Sequence, residues 1–276
     1  MQSRLVLTTF TVVQDCRFID IWATSTQGGA IYKVGNFVTS VFDCVFVNCT
    51  AKSSGGGMYL SENICNLRSL CFTQCHTRDC VNNYYGNSIA GYCGGSLNFS
   101  SSLKCGVEYN AASDSTYYFY ASKFFSSGTN CTQCSGYGGA SGFFYHGTSV
   151  DSYIMYHTII GGKSNVCQCL YYTNKVNFEY TNIVGVESTY SLWFCQSSTV
   201  SVSYCVMYSC IYPSFYAPSS PEFSNSYLDK SVSVPGVTVT LTASYDIPMI
   251  DCEESNVITR KTTPRSAKFY FFIFLF

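Results

Sequence analysis

Asp15-Cys16-Arg17-Phe18-Ile19-Asp20 and Asp43-Cys44-Val45-Phe46-Val47-Asn48 are one six-residue phrase written twice, 28 residues apart. At the same offset, Gly28-Gly29-Ala30-Ile31 falls on Gly56-Gly57-Met58-Tyr59. A third, degraded copy begins at Cys71-Phe72-Thr73-Gln74-Cys75, with its glycine pair delayed to Gly94-Gly95. The extra residues between, including Cys80 to Gly91, read as a loop inserted at a turn. Self-similarity at a fixed period of a few tens of residues is the signature of a repeat architecture.

Further along, the period shortens to 24: Ile154-Met155-Tyr156, Phe178-Glu179-Tyr180 and Val202-Ser203-Tyr204 are mutually spaced by that amount, as are Ile160, Val184 and Tyr208. Cys167-Gln168-Cys169-Leu170-Tyr171 lands on Ser191-Leu192-Trp193-Phe194-Cys195 at the same spacing. Gly138-Gly139-Ala140 followed by Phe143-Phe144-Tyr145 bridges the two registers. Each unit alternates apolar and polar residues between Gly, Ser and Asn clusters, which is the pattern of strands and turns. No stretch sustains a 3.6-residue amphipathic period, so few or no helices are expected. The economical solution is an all-β chain wound as a parallel β-solenoid with coils of 24–28 residues. Each strand then bonds to its counterparts one coil above and below, and equivalent side chains stack about 4.8 Å apart. The Gly pairs, Gly28-Gly29 and Gly56-Gly57, would sit at tight corners. Leu5, Leu7 or Phe10, Val12 would share a face of an opening strand, so the chain reads as beginning inside a repeat.

The composition fits that solution. Charged residues are 11% of the 276, against roughly 25% in a typical globular domain. Lys plus Arg is 15 and Asp plus Glu is 16, giving a net charge of −1 and no basic footprint for nucleic acid. With 47% hydrophobic and 17% aromatic residues the chain is not a disordered one. Seventeen cysteines favour an exported protein and small inward-facing files or local disulfides. Asn48, Asn98 and Asn130 each open an N-glycosylation sequon.

Taken together, Gly-Gly-Ala-Ile at 28–31, Gly-Gly-Gly-Met-Tyr at 55–59 and the Asp-Cys-x-Phe starts resemble two groups of repeats. One is the polymorphic outer-membrane-protein repeat of intracellular bacteria. The other is the cysteine-rich β-helix surface protein of parasitic flagellates. The resemblance implies a right-handed, pectin-lyase-like parallel β-helix and a role at a cell surface, often adhesion.

Several residues invite a chemical reading. Asp15 and Asp43 share a register, so a solenoid stacks two carboxylates, as a polysaccharide-cleaving β-helix would require. Cys71, Cys75, His76 and Cys80 have ligand-like spacing for zinc, as do Cys131 and Cys134, but no second knuckle repeats cleanly. Tyr156, Tyr180 and Tyr204 should form one file, either an interior stack or an exposed stripe. No cofactor is expected.

The expected organisation is a solenoid over 1–212, capping strands over 213–250, and a polar, basic linker with a short apolar end over 251–276. Phe269 to Phe276 follows Arg260, Lys261, Arg265 and Lys268, so membrane association through this tail is an expectation, as a truncated anchor. The functional expectation is a non-enzymatic surface or secreted protein presenting binding area to glycans or proteins. The alternative is a pectin-lyase-like carbohydrate-active enzyme.

Overall fold

In the computed structural model the described residues are 4–24, 27–78, 85–106, 114–121, 124–136, 140–147, 152–164, 167–172, 175–189, 193–195, 199–211, 215–216 and 222–228. Every regular element among them is a β-strand, and every strand pairing is parallel. The chain is a β-solenoid. A 16-stranded sheet forms one wall and a nine-stranded sheet another, with two short sheets of two and three strands beyond the second.

The nine-stranded sheet sets the pitch. Its register joins Arg17, Val45, Cys71, Ser101, Asn130, Thr158, Asn182, Val206 and Tyr227 in sequence, so successive coils take 28, 26, 30, 29, 28, 24, 24 and 21 residues. The range is wider than the expected 24–28. The 24-residue register holds as expected, with Ile154 on Phe178 on Val202 and Ile160 on Val184 on Tyr208. Cys169 likewise pairs with Trp193.

Two expected registers need correction. Ile31 pairs with Met58, an offset of 27, so Gly28-Gly29-Ala30 lies over Gly55-Gly56-Gly57. A one-residue slip would turn every side chain of a strand to the other face. The observed register keeps Ile31 and Met58, both fully buried, in the core. It also matches Gly28 with Gly55, whose φ values are 68° and 65°. A Cβ on Gly29 would collide with the carbonyl oxygen of Gly56 one coil away, so this corner admits no side chain. In the third coil, residues 85–91 are not an inserted loop but the first half of the strand Tyr85–Asn98. Ile89 pairs with Met58, whereas Gly95 pairs with Cys65. The buried Ile89 continues the Ile31–Met58 file, which the glycines could not do.

The solenoid also continues past residue 212. Phe215–Tyr216, Glu222–Ser224 and Tyr227–Leu228 add strands to both large sheets. The expected cap at Val232 to Tyr245, the basic linker and the apolar end at Phe269 to Phe276 lie outside the described residues.

Inside, like residues stack. Phe18, Phe46 and Phe72 hold ring centroids 4.9 and 4.6 Å apart at 11° to one another. The file continues through buried Ser102, Cys131, Ile159, Ile183 and Met207. At the first coil, Leu7 and Val13 turn inward while Phe10 and Val12 are exposed.

Candidate functional site

The repeated phrase resolves into a strand of three residues held between two left-handed corners. The first corner file is Asp15, Asp43, Ser69, Phe99, Gly128, Tyr156, Tyr180, Tyr204 and Asn225, with φ between 49° and 64°. The second is Asp20, Asn48, Gln74, Lys104, Gln133, Gly161, Gly185 and Ser209, with φ between 50° and 59°. A corner N–H donates to the carbonyl just before the corner of the next coil, as Tyr156 does to Glu179 at 3.0 Å and Tyr180 to Ser203 at 3.1 Å. The left-handed conformation costs a residue with a Cβ roughly 1–2 kcal/mol. Asp and Asn tolerate it, but Phe and Tyr have no local hydrogen bond with which to offset it.

Three aromatic residues nevertheless occupy this position in consecutive coils. The Tyr156 and Tyr180 rings lie 4.8 Å apart at 6°, and Tyr180 and Tyr204 lie 4.9 Å apart at 7°. Tyr156 is 39% exposed, and the other two are half-buried. The file is thus an outer stripe rather than an interior stack. Within the file the ring faces lie against one another. Above Tyr156 the file holds only Gly128, and beyond that Phe99, 49% exposed.

Many of the cysteines follow a corner, where the side chain turns inward and donates back across the corner to the carbonyl two residues earlier; Ile21, Leu70 and Val186 fill the same position as buried apolar residues. Cys44 Sγ reaches the Phe42 oxygen at 3.0 Å, Cys205 that of Ser203 at 3.3 Å, and Ser226 Oγ that of Ser224 at 2.9 Å. At the second corner Cys49, Cys75, Cys105 and Cys134 do the same at 3.5–3.7 Å. Where a donor is used, Cys supplies a small, largely apolar group with one donor, and Ser and Thr approximate it. Cys16, Cys44, Cys49, Cys75, Cys105, Cys134, Cys205 and Cys210, the cysteines that follow these corners, are free thiols. Burial pushes the Cys44 and Cys205 thiols up to about 12, so neither is a ready nucleophile.

His157 stands at one of these positions. It is 1% exposed, its ring centroid lies 4.4 Å from that of Phe143 with the planes tilted by 31°, and neither ring nitrogen has a hydrogen-bond partner. Burial pushes its pKa down to about 3, so the ring is neutral.

A second buried polar group lies between the two halves of the long sheet. Lys33 is fully buried and its Nζ donates to the Thr9 carbonyl oxygen at 2.5 Å. Glu62, 7% exposed, accepts from Thr39 Oγ1 at 2.8 Å through Oε2, while its buried Oε1 has no partner. Burial raises the Glu62 carboxyl to about 7, with the Thr39 hydroxyl and the Lys33 charge pulling the other way. These groups were not singled out in the sequence. The available signal was Lys33 standing two residues after Ile31 on an alternating strand, hence on its inward face.

The sites expected from sequence fall as follows. Asp15 and Asp43 occupy the same corner in adjacent coils, Asp15 exposed and Asp43 half-buried. Cys16 and Cys44 do align, with Val45 N–H donating to the Cys16 carbonyl. The zinc candidates do not converge: Cys75 joins the main core, Cys71 clusters with Val45 and Val47 apart from it, and His76 contacts Thr50 Oγ1 and the Gln74 carbonyl. Cys80 lies outside the described residues. No group of three His, Cys, Asp or Glu among the described residues is arranged for a metal ion. Of the sequon residues, Asn48 is exposed and bonds Asp20 at 2.7 Å, Asn98 is half-buried, and Asn130 is 1% exposed. Of the three, only Asn48 is exposed.

Comparison of the chain with protein-family models, with curated proteins and with solved structures finds no match.

Proposed function

We propose that the chain is a non-enzymatic β-helix, displayed at a cell surface or secreted, whose long corner binds glycans or proteins. The observation that carries this reading is the tyrosine stripe. Bulky residues held in a left-handed conformation at the surface cost stability, and strain of this kind is concentrated at functional sites. The stripe presents three aromatic rings along the surface at a repeat of 4.8–4.9 Å, Tyr156 being 39% exposed. Aromatic residues of this kind are enriched at binding surfaces. A right-handed, pectin-lyase-like coil and kinship with flagellate surface proteins belong to the same proposal, on the strength of the repeat phrases alone.

The test is binding of the purified chain to an array of cell-surface glycans and to candidate surface proteins, with Tyr180→Gly as the variant. Glycine relieves the corner while removing the central ring, so the account expects a folded protein with weakened binding. Equal binding by the variant removes the stripe from the proposal. Clean cleavage of a glycosidic bond by the unmodified chain contradicts it.

A second reading, a carbohydrate-active enzyme, draws on Asp15 and Asp43 sharing one corner register. It requires Asp43→Asn to abolish cleavage of an acidic polysaccharide.

A further inference from the structure

We infer that Tyr156, Tyr180 and Tyr204 form a site of oxidative cross-linking, at which neighbouring coils become joined by dityrosine. The chemistry needs two phenols whose ortho carbons can meet, access for an oxidant, and little freedom to move apart. The stripe meets all three conditions. Ring centroids at 4.8 and 4.9 Å with planes 6° and 7° apart set the phenols of consecutive coils side by side in near-parallel orientation. Tyr156 is 39% exposed and the other two are half-buried. The backbones are pinned by the corner hydrogen bonds from Tyr156 to Glu179, Tyr180 to Ser203 and Tyr204 to Ser224.

Competing pairs are less suited. Tyr32 and Tyr59 are 5.7 Å apart at 15°, and Tyr59 is 8% exposed. Tyr59 and Tyr92 are 5.7 Å apart and tilted by 48°.

The oxidant is hydrogen peroxide acting through a haem peroxidase. Each of two phenols gives up one hydrogen atom, as an electron and a proton, and the peroxide is reduced to two waters. The two phenoxyl radicals couple ortho carbon to ortho carbon. The displaced ring hydrogens then pass to the phenolic oxygens, restoring both aromatic rings. The net change is one new carbon–carbon bond and the loss of two hydrogens. Tyr180 has two ortho carbons and a neighbour on each side, so it is the shared member of either product. A covalent bond across coils would resist the peeling of one coil from the next, which is how a stack of nearest-neighbour contacts fails.

The experiment treats dilute purified chain with hydrogen peroxide and haem peroxidase, isolates the monomer, and digests it with trypsin and a glutamate-specific protease. The expected result is a cross-linked peptide, two hydrogens lighter than its parts, joining Tyr180 to Tyr156 or Tyr204. In Tyr180→Phe, which keeps the ring and the stack but cannot form a phenoxyl radical, that product disappears. Dityrosine found only between molecules, mapped to other tyrosines, absent altogether, or undiminished in Tyr180→Phe overturns the inference.

Discussion

The left-handed corner is the residue whose needs shape the rest of the sequence. Once a coil turns through φ near 50°, the next side chain points inward, and at Cys44 its thiol donates to the Phe42 carbonyl and closes the corner. Replacing fully buried Cys75 by Ala removes both the sulfur volume and the weak hydrogen bond, so a loss of about 1–2 kcal/mol is expected. The same change at half-buried Cys16 should cost under ~0.5 kcal/mol. Urea midpoints of the two variants, compared with the parent, measure the difference.

Two titratable groups give opposite pH signatures. The His157 imidazole falls from 6.5 to about 3 on folding, so between those values the unfolded chain binds the extra proton. Stability from this site is complete above 6.5 and is lost as pH falls toward 3. Glu62 rises from 4.5 to about 7, so its contribution is greatest below 4.5 and is lost as pH rises through 7. Melting temperatures of His157→Leu should therefore decline less on acidification than those of the parent. Those of Glu62→Gln should decline less between pH 4.5 and 7. Identical profiles in variant and parent would contradict the burial of these groups.

At the scale of the element, what was legible depended on how constant the coil length was. From residue 152 to 208 every strand advances by 24, and the matches read from sequence are the pairings found. Earlier, different strands of one coil advance by different amounts: Arg17 to Val45 is 28, Ile31 to Met58 is 27, and Val38 to Ile64 is 26. A single offset cannot serve all three, which is why the glycine pair was misplaced by one. In the third coil the pairing with Met58–Arg68 carries a register shift between Tyr92 and Gly94, so the conspicuous Gly94-Gly95 does not mark the counterpart of Met58, which is Ile89. The phrase Asp-Cys-x-Phe marked the repeat, while the left-handed turn at Asp and the inward side of Phe appear only in the structure. The tyrosine file was legible as a file, but its exposure was not. Position 156 follows two alternating residues and would have been placed by alternation alone, whereas the corner rotates it outward. The phenylalanine ladder carries its own prediction. Phe46→Leu and Phe72→Leu should each destabilise and, when combined, show a coupling of about 0.5–1.5 kcal/mol in a double-mutant cycle.

At the scale of the molecule, a solenoid replaces one shared core by a column of nearest-neighbour contacts. That explains how a chain with 11% charged residues and few leucine-rich helical faces forms a stable interior: files of Phe, Cys, Ser and Ile repeat from coil to coil. A residue repeated at a corner is thereby presented as a line along the axis. The central claim is that residues one coil apart lie directly over one another. Nuclear Overhauser spectroscopy on protein with labelled tyrosine rings tests it most directly. The account predicts contacts from the Tyr180 ring to both Tyr156 and Tyr204, with none between Tyr156 and Tyr204 themselves. Absence of contact between rings 24 residues apart would contradict it.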